Sequence, residues 1–200
     1  MTVKKLILSI VVAGVMSSAS AAIDLTGTPS DVTEDGVTTR QFSFRCDGGK
    51  ITFEPPPQWT FSGAKTRAQV TPQNKSFAEG VIETSPLPAP QPIDAAAIAA
   101  FKQQLVASLP VGSQGIELVS EAENSTTPGG HPSYEVVFVY KTMGKTFQRS
   151  ALLVHSPTDR LSFRFSAEKE DFALLITPFR RSIMSWQFVA DKPPQPQAGS

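Results

Sequence analysis

The stretch SYEVVFVYKT at residues 133–142 decides how this chain folds. Its even-numbered positions carry large apolar side chains: Tyr134, Val136, Phe138 and Tyr140. Val137 and Val139 lie on the opposite face, so both faces are apolar. A short apolar run that is rich in aromatic and β-branched residues is typical of a strand covered on both sides. The stretch therefore predicts the central strand of a sheet with a layer on each face.

Toward the C-terminus the sequence predicts two more antiparallel strands and a helix. Turns at Met143–Lys145 and Ser156–Asp159 bound strands over 146–156 and 161–167. An apolar helical stripe follows at spacings of 3, 4, 4 and 3, formed by Phe172, Leu175, Phe179, Ile183 and Trp186. Pro178 cannot donate a helical hydrogen bond, so we expect a kink there, or a restart with Thr177 as the cap.

Toward the N-terminus the sequence predicts four strands, a helix and a fifth strand. Residues 39–45 and 50–54 form a hairpin, residues 65–71 and 77–85 a second strand pair, and residues 116–123 a strand after the helix. Asp94 is a good helix N-cap, and Pro110 ends the helix. The apolar stripe of this helix consists of Ile98, Phe101, Leu105 and Leu109.

The two ends of the chain differ from this folded part. Residues 1–21 have the three parts of a secretory signal: Lys4 and Lys5, an apolar run too short to cross a bilayer, and a small-residue cleavage site. We expect a flexible segment over 22–38, a domain over 39–189 and a disordered proline-rich tail over 190–200. Export to the periplasm or the medium follows, with no membrane anchor after cleavage.

The composition excludes several classes of function. Eighteen basic side chains balance 18 acidic ones, whereas nucleic-acid-binding proteins usually carry a basic surplus, so no nucleic-acid partner is expected. A single cysteine and two histidines make a poor supply of metal ligands. We therefore expect no cofactor and no metal.

The order of elements predicts an α+β fold in which helices sandwich an antiparallel β-sheet. Three motifs resemble the PsbP-like superfamily: Ile51-Thr52-Phe53-x-x-Pro56-x-x-Trp59, Gly130-x-Pro132-x-Tyr134 and Phe179-x-x-x-Ile183-x-x-Trp186-x-Phe188. That superfamily includes the extrinsic photosystem II protein, Mog-type Ran-binding proteins and many exported bacterial proteins. The resemblance implies an α/β/α sandwich that serves binding or assembly, generally without catalysis. It transfers no binding residue, because the matching positions are structural.

Catalytic alternatives rest on few residues. A hydrolase or metal-dependent enzyme would have to use His155 with Asp159, and Ser156 would complete a triad that sequence neighbours rarely form. His131 lies in a Gly/Pro loop, and Cys46 has only Arg45 beside it to favour a thiolate.

Candidates for partner binding are of two kinds. Trp59 and Phe61 follow three prolines and could form a rigid aromatic surface, although a Trp after a strand more often fills the core. Four arginines could form a basic patch for an anionic partner: Arg160, Arg164, Arg180 and Arg181.

The sequence thus predicts an exported, monomeric, non-enzymatic module that binds a protein or a small ligand in the cell envelope. Besides the enzyme, the other alternative is a carrier of an apolar ligand, for which a core cavity above about 300 Å³ is expected.

Overall fold

The computed structural model describes residues 23–191. The elements in chain order are β1 (Asp24–Glu34), β2 (Val37–Cys46), β3 (Gly49–Phe53), β4 (Trp59–Ala64), β5 (Arg67–Pro72), β6 (Glu79–Pro86), α1 (Ala95–Ala107), β7 (Gln114–Glu123), β8 (Ser133–Thr142), β9 (Lys145–His155), β10 (Asp159–Glu168), α2 (Lys169–Met184) and β11 (Gln187–Ala190). Within this range, neither helix is long and apolar enough to span a bilayer. The expected signal peptide at 1–21 lies outside the described residues.

The strands form two antiparallel sheets, and the expectation of one sheet is corrected. The seven-stranded sheet has the order β4-β5-β6-β10-β9-β8-β7, and the four-stranded sheet has the order β1-β2-β3-β11. The chain passes from the second sheet to the first between Phe53 and Trp59. Pro55, Pro56 and Pro57 lie in this crossing, where they donate no N–H and so cannot extend a ladder. The fold is α+β with antiparallel sheets, as predicted.

Alternation along β8 and β9 divides the apolar side chains between two cores. In the larger core, Leu161, Phe163 and Phe165 pack with residues of α2 and of the four-stranded sheet. In the smaller core, Phe101 and Leu105 of α1 pack against apolar side chains of β8 and β9. The two helices therefore lie against opposite faces of the seven-stranded sheet.

Trp186 joins the layers of the larger core. It follows α2 and is only 2% exposed. Its ring centroid lies 5.4 Å from that of Phe44 on β2, 6.0 Å from that of Phe53 on β3 and 5.3 Å from that of Phe163 on β10. Both sheets and the end of α2 therefore meet at one indole ring.

The N-terminal segment differs from its prediction. Residues 24–34 form β1, which pairs with β2, so the expected flexible segment over 22–38 is wrong for these residues. Leu25 is fully buried, and its N–H donates to the carbonyl of Lys65 at 3.0 Å. The polar composition of β1 hid the strand, because most of its side chains are exposed and only its first residues reach the core.

The C-terminal boundaries also need correction. The helix α2 runs through Pro178 without a restart, so Thr177 is an interior residue and not a cap. Its buried stripe packs into the larger core, and burial of several large side chains outweighs a proline cost of about 3 kcal/mol. Ala190 pairs with Gly49 in β11, so the expected tail over 190–200 begins too early. Residues 192–200 lie outside the described residues.

A buried carboxylate fixes α2 to β8. Glu135 is 6% exposed and accepts hydrogen bonds from Ser150 at 2.6 Å, from Arg180 at 2.6 Å and from Ser125 at 2.7 Å. Burial acts to raise the pKa of Glu135, but the hydrogen bonds from Ser150, Arg180 and Ser125 outweigh it and hold the pKa below its ordinary value. The sequence pattern gave no role to this residue.

Glu135→Gln is expected to lower the free energy of unfolding by about 2 kcal/mol at neutral pH, because Arg180 loses its carboxylate partner. Since the folded pKa is depressed, the carboxylate stabilises the fold above its unfolded pKa, and this is lost as the pH falls through the folded pKa. Urea unfolding between pH 3 and 7 should show a smaller pH dependence in the variant. The exposed Glu123→Gln on β7 is the control, and an equal loss in both variants would contradict the assignment.

Leu25→Ala is expected to lower the free energy of unfolding by about 3 kcal/mol, since it leaves a cavity in the larger core. Val37→Ala, at a side chain that is 64% exposed, should change it by less than about 0.5 kcal/mol. Urea unfolding of both variants measures the difference. Equal, small effects would mean that β1 is not part of the cooperatively folded unit.

Candidate functional site

One region of the seven-stranded sheet is covered by no helix. Seven strands at about 4.8 Å spacing span about 30 Å, while a helix is about 10 Å wide. The helix α1 covers β8 and β9 through Phe101 and Leu105. Beside it, over β5, β6 and β10, an open groove of about 630 Å³ remains.

The lining of this groove is charged and rich in hydroxyl groups. It contains four arginines and two glutamates: Arg67, Arg149, Arg160, Arg164, Glu79 and Glu83. Its hydroxyl groups come from Thr66, Thr84, Ser85, Ser108, Ser162 and Ser166, and its apolar side chains are Val81, Phe101 and Leu105. We call it the arginine-lined groove. Its charged lining carries two more positive than negative charges.

The two carboxylates are already engaged. Glu83 accepts from Arg67 at 2.9 Å and from Arg164 at 2.7 Å, so one negative charge serves two guanidinium groups. Glu79 accepts from the amide of Gln69 at 2.9 Å. Glu83 therefore cannot neutralise both of its arginine partners.

Arg164 lies at the centre of this arrangement. Its side chain is 13% exposed, and its buried Nε has no hydrogen-bond partner. Burial lowers the pKa of Arg164; Glu83 opposes this shift, while the positive charges of Arg149 and Arg67 add to it. One N–H of a strongly desolvated guanidinium is thus left without an acceptor.

Arg149 is more deeply buried and is held by hydroxyl groups. It is 6% exposed; its Nε donates to Ser166 at 2.7 Å and its Nη1 donates to Ser108 at 3.0 Å. Its guanidinium lies 5.5 Å from the ring centroid of Tyr140. Within residues 23–191 it forms no ion pair with a carboxylate. A buried charge without an opposite charge is costly, and an anion in the groove would offset that cost.

The four arginines predicted as one basic patch lie on two faces of the sheet, which corrects that expectation. Arg160 and Arg164 line the groove. Arg160 donates to Gln104 on α1 at 2.6 Å, and burial lowers its pKa. Arg180 lies on α2, where it pairs with Glu135, and Arg181 is an exposed residue of the same helix. The two helices pack on opposite faces, so the two arginine pairs cannot serve one site.

Trp59 and Phe61 are half-buried at the edge of the larger core. The Phe61 ring centroid lies 4.0 Å from that of Phe42, and the Trp59 ring centroid lies 5.7 Å from that of Phe165. Phe61 thus packs against the four-stranded sheet, whereas Trp59 packs against β10 and α2. They do not form an exposed aromatic surface.

The residues considered for catalysis are not assembled into a site. His155 Nδ1 lies 3.0 Å from the carbonyl oxygen of Gln91, whereas the Asp159 carboxylate accepts from Thr158 at 2.7 Å. Ser156 is bonded to the backbone of Asp159 in the turn, not to the imidazole. In the part of the chain that the structure describes, no three His, Cys, Asp or Glu residues lie close enough to share a metal.

The Cys46 thiol is poorly suited to nucleophilic chemistry. Burial, followed by the charges of Asp159, Asp47 and Asp191, raises the pKa of the Cys46 thiol. The thiol therefore stays protonated and weakly nucleophilic near neutral pH. Burial lowers the pKa of His131.

Sequence reasoning identified two of the four groove arginines and missed Arg67 and Arg149. For Arg67 no pattern along its own strand gave a signal. For Arg149 a signal was present, because it alternates with Phe147, Ala151 and Leu153 on the face of β9 that α1 covers. A charged residue on a buried face has to find polar partners. Its partner Ser108 comes from the end of α1, and that contact cannot be read from spacing along one strand.

Comparison with known proteins adds information about the fold. No family model and no curated protein matches the sequence. A structure of LpqN, described as involved in cell envelope biogenesis of Mycobacterium tuberculosis, aligns with a TM-score of 0.54 at 14% identity over 82% of this chain and 91% of LpqN. The solution structure of cyanobacterial PsbP (CyanoP) from Synechocystis aligns with a TM-score of 0.52 at 12% identity over 90% of this chain and 99% of CyanoP. The chain therefore has the PsbP-like fold that its motifs indicate.

Proposed function

We propose that this protein is a non-catalytic binding module of the cell envelope that takes up a ligand in the arginine-lined groove. The observation that carries the proposal is the groove itself, an open polar space of about 630 Å³ beside α1 on the seven-stranded sheet. Small-molecule sites usually measure about 300–1,000 Å³ and combine apolar walls with a few placed polar groups. Phe101 and Leu105 supply such a wall, and the arginines and serines supply the polar groups.

The envelope location is supported by two independent features. Residues 1–21 have the pattern of a secretory signal. LpqN, which shares the fold, is described as involved in cell envelope biogenesis. Export to the periplasm or the medium is consistent with both.

A layered arrangement explains why the groove exists. We infer that α1, the seven-stranded sheet and α2 form the α/β/α sandwich that the resemblance implies. In this arrangement α2 and the four-stranded sheet share one face, while α1 alone serves the other. The charged lining favours a polar ligand over the apolar cargo considered from the sequence, because a hydrocarbon would leave the arginines desolvated and unpaired.

Ser162→Trp tests the groove as the binding site, because an indole at this position occupies the space between Arg160 and Arg164. Thermal unfolding is followed with a panel of envelope compounds: sugars, sugar phosphates, dicarboxylates and amino acids. A true ligand at 100 times its Kd contributes about 2.7 kcal/mol, which raises the Tm by about 5 °C or more in a protein of this size. We expect such a shift in the wild type and none in Ser162→Trp.

Ser62→Trp is the matched control, since Ser62 is an exposed residue of β4 outside the groove. It should respond like the wild type. A panel without effect on the wild type, or an equal response of Ser162→Trp, would contradict the proposal.

The double variant His131→Ala, His155→Ala separates binding from catalysis. Because neither histidine lines the groove, the ligand-induced Tm shift should stay within about 1 °C of the wild-type shift. The measurement is the same thermal unfolding assay, with circular dichroism to verify folding. Loss of the shift in a folded double variant would favour the enzyme alternative based on His155.

A further inference from the structure

We propose that the charged group recognised in the arginine-lined groove is a phosphomonoester, bound between Arg149 and Arg164. This inference rests on the proposed function and specifies the chemistry of its ligand. It comes from three features of the groove: its balance of charges, the hydrogen-bond donors of its arginines and its shape.

The charge balance favours an anion with two negative charges. Four arginines face two glutamates in the lining. Glu83 is shared by two of the arginines, and Arg160 is bonded to a neutral amide. Among the described residues, Arg149 has only hydroxyl groups as hydrogen-bond partners. A phosphomonoester carries about −1.5 to −2 charges at neutral pH, close to the surplus of the groove, whereas a single carboxylate carries one.

The donors suit phosphate oxygens. The Nε of Arg164 is buried and has no hydrogen-bond partner. Arg149 on β9 is the diagonal neighbour of Arg164 on β10, because Arg149 pairs with Ser166 and Arg164 pairs with Ala151. Planar guanidinium groups bind phosphate oxygens through paired N–H donors. Ser108 and Ser166 hold Arg149 in position, so little side-chain entropy remains to be lost on binding.

The shape leaves room for the rest of the ligand on both sides of Arg149. On one side the groove continues to Ser162, Ser85 and Gln104, whose polar groups suit a sugar. On the other side, a recess of about 240 Å³ shares Arg149, Glu79 and Ser166 with the groove. The apolar lining of this recess comes from Phe77, Ala78, Pro110, Tyr140, Met143 and Phe147. The phosphomonoester could therefore belong to a soluble sugar phosphate or to a lipid headgroup.

Isothermal titration of the purified chain at fixed salt tests the inference. The probes are glucose 6-phosphate with glucose as its neutral match, inorganic phosphate, and phosphatidylcholine vesicles with and without phosphatidate. We expect glucose 6-phosphate or phosphatidate vesicles to bind, and the neutral matches not to bind. Binding of the sugar phosphate alone identifies a soluble ligand, and binding of the vesicles alone identifies a headgroup; both support the inference.

Two groove variants and one matched control locate the bound group. Arg149→Met and Arg164→Gln should each raise the Kd at least tenfold, while Arg181→Gln, at an exposed arginine on the opposite helix, should change it less than twofold.

Arg149→Met should also raise the Tm of the ligand-free protein, because it removes a buried charge without an anionic partner. A merely structural arginine would lower it. If the methionine variant does not fold, Arg149→Lys keeps the charge and should still weaken binding, because it loses the two-pronged donor geometry.

The contrary outcomes are distinct. If no phosphate probe binds while another compound gives a shift that Ser162→Trp abolishes, the phosphomonoester inference is wrong and the proposed function stands. If no compound of any class binds, the phosphomonoester inference and the proposed function are both wrong. If phosphate binds equally to the wild type, Arg149→Met and Arg164→Gln, it is an adventitious ion only, and the inference is overturned.

Discussion

The width of the seven-stranded sheet is the constraint on which the rest of this structure depends. A sheet about 30 Å wide needs more cover than one helix provides on each face. One face is covered by α2 together with the four-stranded sheet, and Trp186 packs where the two meet. On the other face α1, with 13 residues, covers β8 and β9 only. The strands beside it must present polar side chains to water, and the alternation of arginine and serine along β10 meets that requirement.

A buried charge lies at the border between the part of this face that α1 covers and the part that is open. Arg149 lies at that border, close to the C-terminal end of α1. Ser108, the C-cap of this helix, accepts from Arg149 and donates to the carbonyl of Leu105 at 2.8 Å. Arg160 contacts Gln104 one turn earlier. The end of α1 and the groove arginines are thus connected by these hydrogen bonds, so a group bound at Arg149 would also contact the end of α1 indirectly.

Local patterns in the sequence predicted most of the local elements, although the strand β4 was not predicted. The strand at 133–142 has the predicted bounds, and the stripe of α1 buries Phe101 and Leu105 behind an Asp94 cap that accepts from Ala97 at 2.8 Å. Non-local pairing was not predictable in the same way. β1 is mostly polar and exposed, and β11 pairs with a strand more than 130 residues earlier, so no single window reveals the four-stranded sheet.

The candidate site was predictable only in part, for a similar reason. Arg160 and Arg164 stood out on the polar face of their own strand, but Arg180 and Arg181 looked equally close in sequence and lie on the other side of the sheet. Which arginines share a site depends on which face each element covers.

The motifs that carry the resemblance and the residues that line the groove are two separate sets. Trp59, Tyr134 and Trp186 belong to the cores or pack against them, and none of the residues in the three motifs lines the groove. Core positions preserve a layered fold because they set the packing between sheets and helices. The outer groove positions, such as Arg67, Ser85 and Gln104, are exposed, and a change of side chain there costs little stability. Proteins that share this fold at 12–14% identity can therefore differ completely in what the uncovered strands bind. In this chain, Arg149 and Arg164 share a deficit of negative charge, and that deficit decides which groups the groove can favour.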